Sequence, residues 1–288
     1  MLPASPALGA WRRRLRVCVP LLAVTAVGAA LAQVPEQTES FRIERLAEGV
    51  YAAVARPGAA AGANAAFIVN ADDVVVVDTH MTPGAAAELY EAIGRITSRP
   101  VRFVVNTHWH PDHTQGNQAY AGAYPPGVTY LAHAATRADL ATLGASRLAA
   151  DLERIPREIA SLEAQLAGLA AGEAMRTRRE IERLRSFLVQ LQSVELVLPS
   201  VTFDRALTLY RGRREIQLLY FGRGHTRGDL VVYLPRERIA LVGDLVTGGP
   251  PFARDGYPIA WAETLERLAR LDIGTVVSGH GAVRRDAR

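Results

Sequence analysis

Short apolar runs alternate along the chain with longer segments in which apolar positions recur at helical spacing. In the first half, the short runs predict a strand pair over 41–55, a hairpin of strands 65–70 and 74–78, and strands at 101–105 and 128–131. Helices are predicted at 82–98, from about 114, and at 137–143. The run Val74–Val77 is apolar on both faces, which predicts a fully buried strand.

A second series of strands follows near the end of the chain. Apolar runs predict strands at 201–210, 214–220, 230–233, 239–242 and 275–277, with a helix at 260–271. Strands and helices therefore alternate in two halves. This order predicts an α/β (α+β) layered sandwich with helices outside two sheets.

The segment from about 148 to 194 has a different pattern and is rich in Ala, Leu, Glu and Arg. Apolar residues spaced by three and four predict two short coiled-coil helices, with seam positions Leu152, Ile155, Ile159, Leu162, Leu166 and Leu169, then Ile181, Leu184, Leu188 and Leu191. Gly168 and Gly172 bracket the expected reversal, and Pro156 is expected to start or kink the first helix. This inserted helical hairpin has three open roles: a structural insertion, a lid over an active site, or the contact of a homodimer.

Residues 1–32 have the pattern of an export signal. Arg12, Arg13, Arg14 and Arg16 precede an apolar run, and Ala30-Leu31-Ala32 places small residues where a signal peptidase reads them. We expect cleavage before Gln33 and a periplasmic or secreted product. The run is about 15 residues long, short of the roughly 20 that span a bilayer, so we expect no stable membrane association after cleavage.

Composition limits the chemistry of residues 33–288, which we expect to form one domain. The chain of 288 residues is 49% hydrophobic and 22% charged, as in ordinary globular proteins. Its one cysteine, Cys18, would leave with the signal, and all 33 basic residues are arginine, so thiolate and lysine chemistry are excluded. Without the 4 signal arginines, 29 basic residues balance 29 acidic ones, and nucleic-acid binding driven by overall charge has no support.

Five of the seven histidines lie in short motifs at predicted strand ends. These three motifs are His108-x-His110-x-Asp112-His113, Gly224-His225-Thr226 and Gly279-His280-Gly281, and a fourth motif, Gly243-Asp244, follows another predicted strand. On a turn that leaves a strand, residues two apart can point the same way and converge on a cation. Imidazole and carboxylate ligands without thiolate suit zinc, and also iron or manganese.

Together with Val76-Val77-Asp78-Thr79, these motifs resemble the metallo-β-lactamase superfamily of metal-dependent hydrolases over residues 41 to 282. The resemblance implies a four-layer αββα sandwich whose site lies where the loops of the two sheets meet. It places one zinc ion on His108, His110 and His225. It places a second zinc ion on Asp112, His113 and His280, and Asp244 would bridge the two ions. Asp78 is implied to orient the first motif from behind the ligands.

The chemistry that follows is hydrolysis of a small-molecule substrate. Two zinc ions that share a water lower its pKa from ~15.7 toward neutrality and supply hydroxide for attack on a carbonyl. Asp112 is the expected catalytic residue, because it can orient the nucleophile and shuttle a proton. An ester, thioester, lactone or amide is expected as substrate, and β-lactams are included.

Two other classes of function stay open. Persulfide dioxygenases, which use a single iron, resemble the same motif set, and a noncatalytic periplasmic metal-binding protein would need only the ligands. The β-lactamases with a Cys ligand have it where this chain has Asp244, and many have a lysine where this chain has Thr247. A typical member of that subclass is therefore not expected.

Several further residues are candidates near the site. Trp109, Phe252, Arg254, Tyr257 and Arg223 are candidate pocket residues, and Arg254 or Arg223 could pair with an anionic substrate. An ordinary surface role is the alternative for each. His133 is expected to be a satisfied structural histidine, and for His80 a functional role, a supporting role and a solvent-facing position stay open.

Overall fold

The computed structural model describes residues 38–285. The export signal predicted at residues 1–32 lies outside the described residues and stays a prediction. The strands are β1 (Phe41–Ala47), β2 (Val50–Ala55), β3 (Ala65–Val69), β4 (Val74–Val77), β5 (Val101–Val105), β6 (Thr129–His133), β7 (Val201–Phe203), β8 (Ala206–Arg211), β9 (Arg214–Tyr220), β10 (Leu230–Leu234), β11 (Ile239–Gly243), β12 (Thr275–Ser278) and β13 (Arg284–Arg285). The α-helices are α1 (Pro83–Ile96), α2 (Pro111–Thr114), α3 (Ala134–Asp139), α4 (Ala145–Gln165), α5 (Ala171–Gln192) and α6 (Pro258–Leu268).

The strands form two sheets. The first has the order β1-β2-β3-β4-β5-β6-β7, antiparallel from β1 to β4 and parallel from β4 to β7. The second has the order β13-β12-β11-β10-β9-β8, in which only β11 and β12 run parallel. The parallel strands β4, β5 and β6 end at one edge, so the loops that follow them lie close together.

Three apolar layers hold the sheets and helices together. Val74 and Val76 of β4 pack outward with Leu89 of α1, whereas Val75 and Val77 pack inward against the second sheet. A third layer joins the outer face of the second sheet to Trp261 and other residues of α6. Helix, sheet, sheet and helix therefore stack in that order, and the predicted αββα sandwich and buried strand Val74–Val77 are confirmed.

The helix predicted from about residue 114 is wrong. The chain instead forms the single turn α2, and a 3-10 helix at Asn117–Tyr120 follows it. Between them lies Gly116, where a Cβ would meet the carbonyl oxygen of Thr79 at 1.9 Å. Only glycine, which has no Cβ, permits this close approach of the two backbones.

Two other element predictions need correction. The strand predicted at 201–210 is two strands: β7 pairs with β6 in the first sheet, and β8 pairs with β9 in the second. The helix predicted at 137–143 begins earlier, because the Nδ1 atom of His133 accepts a hydrogen bond from the Ala135 backbone N–H (3.0 Å) and caps α3. A π-helical turn at Leu140–Gly144 then joins α3 to α4.

The helical hairpin predicted near 148–194 is present as α4 and α5. It has its own apolar cluster, in which Ile155 and Ile159 of α4 pack against Ile181, Leu184 and Leu191 of α5. Pro156 lies inside α4 without ending it. Among the helices of residues 38–285, none is long and apolar enough to cross a membrane.

Candidate metal centre

The predicted ligands converge from four loops at one end of the sandwich. His108, His110, Asp112 and His113 follow β5, and the other three lie one on each of three loops of the second sheet, namely His225 between β9 and β10, Asp244 after β11 and His280 after β12. The potential metal-binding atoms form two clusters, within each of which all atoms lie within 4.8 Å of one another: the first holds His108, His110, His225 and Asp244, and the second holds Asp112, His113 and His280. We call His108, His110 and His225 the first ligand group, and Asp112, His113 and His280 the second ligand group.

Asp78 holds the first motif in place from the end of β4. Its Oδ1 accepts a hydrogen bond from the Thr107 backbone N–H (2.8 Å), and its Oδ2 accepts from the Thr107 hydroxyl (2.8 Å) and from His113 Nδ1 (2.7 Å). Asp78 has φ of 59°, a left-handed conformation that turns the chain sharply as β4 ends. These contacts fit the orienting role that the resemblance implies.

In the first ligand group, imidazole nitrogens that carry lone pairs face each other. Thr107 donates its hydroxyl to Asp78, so it accepts from His108 Nδ1 (3.1 Å), which leaves a lone pair on His108 Nε2. His110 Nε2 donates to Asp255 Oδ2 (3.1 Å), which leaves a lone pair on His110 Nδ1. These two lone-pair atoms lie 3.1 Å apart, and His225 Nε2 lies 2.7 Å from His110 Nδ1.

The second ligand group combines imidazole and carboxylate in the same way. His113 donates from Nδ1 to Asp78, so in its neutral form His113 Nε2 carries a lone pair, 3.7 Å from Asp112 Oδ2 and 3.3 Å from Asp244 Oδ1. His280 Nε2 lies 3.2 Å from Asp112 Oδ2 and 3.3 Å from Asp244 Oδ2. Asp244 also reaches the first group, with Oδ2 at 3.4 Å from His225 Nε2. Its carboxylate therefore lies between the two groups.

The two groups differ in their proton affinity. Burial lowers the pKa of His225 to about 4, and it also lowers the pKa of His108 and His110. For His280, burial alone would lower the pKa, but hydrogen bonds to Asp112 and Asp244 raise it to about 9. Likewise, the pKa of His113 is raised well above its usual value, because nearby carboxylates outweigh the effect of burial. The first group is thus neutral at pH 7, whereas the second attracts protons or other cations.

Two features of the surroundings also fit metal ions. His113 Nε2 and Asp244 Oδ1 are buried and have no hydrogen-bond partner among the described residues. Gly279 lines the same space, because a Cβ there would lie 1.9 Å from Asp244 Oδ1 and 2.9 Å from His113 Cε1. Converging lone pairs and carboxylates, without thiolate, are the donors that zinc takes in catalytic sites. The residues present therefore fit two divalent cations, and the ligand assignment itself stays a prediction.

Supporting residues fix the loops of the second sheet. Asp229 accepts hydrogen bonds from the Thr226 backbone N–H (2.9 Å) and hydroxyl (2.7 Å), which closes the turn after His225, and burial raises the pKa of Asp229 to about 7. Asn64 donates to the carbonyl oxygens of Ser278 (2.8 Å) and Gly281 (2.9 Å) on either side of His280. The sequence analysis missed Asn64, which has no motif of its own.

A cavity of about 330 Å³ opens over the metal centre. Beside ligands of both groups and Asp244, it is lined by Met81, Pro111, Gln115, Arg147, Asp151, Arg154, Phe187, Leu191 and Phe252. Of the five predicted pocket residues, only Phe252 lines it. Trp109 packs edge-on against the His110 ring, and Arg223 lies over the ring of Tyr257 at 5.2 Å. Arg254 and Tyr257 are not lining residues of this cavity.

The two remaining histidines lie outside the ligand groups. His133 caps α3, stacks on Tyr220 and contacts the Asp204 carbonyl oxygen through Nε2 (3.2 Å), as expected for a structural histidine. His80 is fully buried with φ of 66°, stacks on Phe41 and contacts the Ala63 carbonyl oxygen through Nδ1 (2.8 Å). Its burial lowers its pKa to about 4. These contacts give His80 a supporting role outside the two ligand groups.

Comparisons with known proteins agree with this geometry. A family profile described as the metallo-beta-lactamase superfamily matches residues 59–280. The chain is 29% identical over 210 residues to the 2,4-dinitroanisole O-demethylase subunit alpha of Nocardioides sp. (strain JS1661), covering 72% of this chain and 49% of that protein. It is 21% identical over 225 residues to the linear primary-alkylsulfatase of Pseudomonas sp. (strain ATCC 19151), covering 73% of this chain and 40% of that protein. The chain thus spans less than half the length of these curated relatives.

A solved structure shows the same fold. The metallo-beta-lactamase from Pontibacter korlensis superposes with a TM-score of 0.58 at 20% identity, covering 86% of this chain and 94% of that chain. The matched profile spans all seven predicted ligands, from His108 to His280. The chain therefore belongs to the metallo-beta-lactamase superfamily.

Proposed function

We propose that this protein is a metal-dependent hydrolase with a dinuclear zinc centre that acts on a small-molecule ester, thioester, lactone or amide, β-lactams included. The position of Asp244 carries the proposal. Its two carboxylate oxygens lie 3.3 Å from His113 Nε2 and 3.4 Å from His225 Nε2, so one side chain reaches both ligand groups. A protein that only stored metal would need no such bridge.

The proposed chemistry divides between metal and protein. When bound, two zinc ions would lower the pKa of a water toward neutrality and polarise the carbonyl of the substrate. Asp112 lies in the cavity, and His113 and His280 keep its pKa below the usual value although burial opposes this. Asp112 is thus ionised at pH 7 and can accept a proton at a carboxylate oxygen and return it to the leaving group. Asp78 and Asp255 hold His113 and His110 in the tautomers that leave their inner nitrogens unprotonated.

Metal content is the first test. Elemental analysis of the purified protein should give close to two zinc ions per chain. The same sample should hydrolyse a chromogenic cephalosporin, a lactone or a thioester. The panel covers three classes of carbonyl compound that the proposed chemistry can attack. A single iron with oxygen consumption on a persulfide would contradict the proposal in favour of a dioxygenase. Loosely held metal without turnover would contradict it in favour of a metal-binding protein.

We also propose that the protein is exported and cleaved before Gln33. The arginines and the apolar run of residues 1–32, followed by Ala30-Leu31-Ala32, support this. The intact mass of the protein from a periplasmic fraction tests it. A mass that retains residues 1–32 would contradict it.

A further inference from the structure

The helical hairpin forms one wall of the cavity over the metal centre. Arg147, Asp151 and Arg154 of α4 and Phe187 and Leu191 of α5 line this cavity. Both helices therefore contribute, although the hairpin has an apolar cluster of its own. The substrate of the proposed hydrolase would contact the hairpin while it lies on the metal centre.

Hydrogen bonds hold this wall against the loops of the metal centre. Gln118 donates from Nε2 to the Ser193 carbonyl oxygen (2.8 Å) at the end of α5, and Asn117 donates to the Val197 carbonyl oxygen (2.9 Å). Gln190 accepts a hydrogen bond from the Gly84 backbone N–H (2.9 Å). The base of the hairpin is thus anchored to the segment that follows His113 and to the start of α1.

The charged residues on this wall share one face of α4. Arg147, Asp151 and Arg154 have the spacing i, i+4 and i+7, which places them on one stripe of a helix. Arg157 and Glu153 lie on another face, where they pair with each other at 3.0 Å and are mostly exposed. Helix α4 therefore has one arginine-bearing face toward the cavity and a second face away from it.

The two cavity arginines differ in how their charge is neutralised. Arg154 contacts Asp151 at 2.8 Å and Glu158 at 2.6 Å, so two carboxylates hold it. Arg147 approaches Asp151 only to 4.0 Å, the outer limit of an ion pair. The guanidinium of Arg147 is therefore the better placed to bind an additional anion, because a closely paired arginine would first have to give up its partners.

We infer that Arg147 of the hairpin wall binds an anionic group of the substrate, and that the enzyme prefers anionic substrates with an apolar body. The apolar body would contact Phe187 and Phe252 while its scissile bond lies on the metal centre. This inference rests on the proposed hydrolase function. It assigns a specificity residue to the inserted hairpin rather than to Arg223 or Arg254.

A matched pair of esters tests the inference. Para-nitrophenyl valerate and mono-para-nitrophenyl glutarate share the leaving group and the number of acyl carbons, and only the glutarate ester carries a remote carboxylate. We expect the zinc-loaded protein to prefer the glutarate ester in kcat/KM. Arg147→Ala should raise KM for that ester by about 10- to 100-fold, the usual effect of losing a charged hydrogen bond, with little change in kcat or in turnover of valerate. Arg147→Lys should retain part of the preference, and Arg157→Ala is the control that should match wild type.

Equilibrium binding gives a readout that does not need turnover. Valerate and glutarate each offer one carboxylate to the metal centre, and glutarate has a second one for Arg147. By calorimetry on the zinc-loaded protein, glutarate should bind about tenfold tighter than valerate in wild type and in Arg157→Ala, and equally in Arg147→Ala. An unchanged ratio in Arg147→Ala, or equal loss of both esters, would overturn the inference. Turnover of neither ester, with the binding ratio still dependent on Arg147, would instead count against ester hydrolysis as the proposed function.

Discussion

The two ligand groups of the metal centre lie side by side yet differ in burial and charge. In the first group, the His108 and His225 side chains are fully buried and the His110 side chain is 8% exposed, and burial lowers all three pKa values. In the second group, the His113 side chain is also fully buried but the His280 side chain is 38% exposed, and carboxylates raise the pKa of both histidines. The first group is thus ready to bind metal at neutral pH, whereas the second must release protons first.

This difference predicts the order in which metal binds. The first group should take a metal ion without proton release, and the second group should bind in competition with protons. Asp244 contacts both ligand groups, because its carboxylate lies close to His225 of the first group and to His113 and His280 of the second. Occupation of one group should therefore change the affinity of the other through Asp244.

The largest effect is expected from removing a ligand of the first group. His110→Ala should abolish metal binding at that group and reduce activity to the uncatalysed rate while the fold is retained, because His110 Nδ1 lies within 3.1 Å of both other histidines. Elemental analysis, circular dichroism and turnover measure the three quantities. His133→Ala is the matched control, since His133 is a structural histidine outside both groups. Full activity of His110→Ala would contradict the ligand assignment.

The pH dependence of zinc affinity should separate the groups next. His280 has a pKa of about 9 in the metal-free protein, so below pH 9 it holds a proton that zinc must displace, and affinity falls as pH falls. Between pH 8 and pH 6 we expect at least about a hundredfold loss at the second group, one factor of ten per pH unit for each displaced proton. The first group should be nearly unchanged, because His225 has a pKa of about 4. Calorimetric zinc titrations at both pH values measure this, and a parallel loss at both groups would contradict the comparison.

A supporting residue gives a smaller effect. Asp78→Asn should weaken zinc binding at the second group by about 10- to 100-fold, because the carboxylate that accepts from His113 Nδ1 is lost. The first group should lose less, since Asp78 reaches His108 only through Thr107. Zinc titration of the variant beside Asp272→Asn, an exposed carboxylate paired with Arg238, tests this. A larger loss at the first group would show that Thr107, not His113, transmits the effect of Asp78.

The smallest effect is expected at His80. His80→Asn introduces a residue that also tolerates a φ of 66°, and it removes the ring that stacks on Phe41. We expect an unfolding free energy lower by about 1 to 3 kcal/mol and zinc affinities within about threefold of wild type at both groups. Thermal unfolding and zinc titration measure these. A tenfold change in zinc affinity would give His80 a direct part in the metal centre.

The sequence predicts the strands of the sandwich well where a whole apolar run lies in one sheet. Strand Val74–Val77 is apolar on both faces and is buried on both. The prediction of a single strand at 201–210 is wrong because the pattern of apolar positions alone does not show that the chain passes from one sheet to the other at Asp204 and Arg205. That crossing depends on the separate pairing partners β6 and β9, which local pattern does not encode.

The candidate site likewise contains residues that could be predicted from the sequence and residues that could not. Motif residues could be located because their types and spacing follow from metal chemistry, although their assignment as ligands awaits experiment. The hairpin residues Arg147 and Phe187 could not be assigned to the cavity, since only tertiary packing brings α4 and α5 over the metal centre. The spacing of Arg147, Asp151 and Arg154 places them on one face of α4, but this spacing carries no information about what that face meets.

The contacts of Asn64 have a consequence for the order of folding. Asn64 directly precedes β3 of the first sheet, and its side chain and backbone N–H bind Ser278, Gly279 and Gly281, more than two hundred residues later in the chain. Contacts of such separation form late, because closing a long loop precedes any gain from it. The turn that carries His280 should therefore dock last, after both sheets have formed. Zinc should accordingly slow unfolding of the finished protein and leave its folding rate almost unchanged.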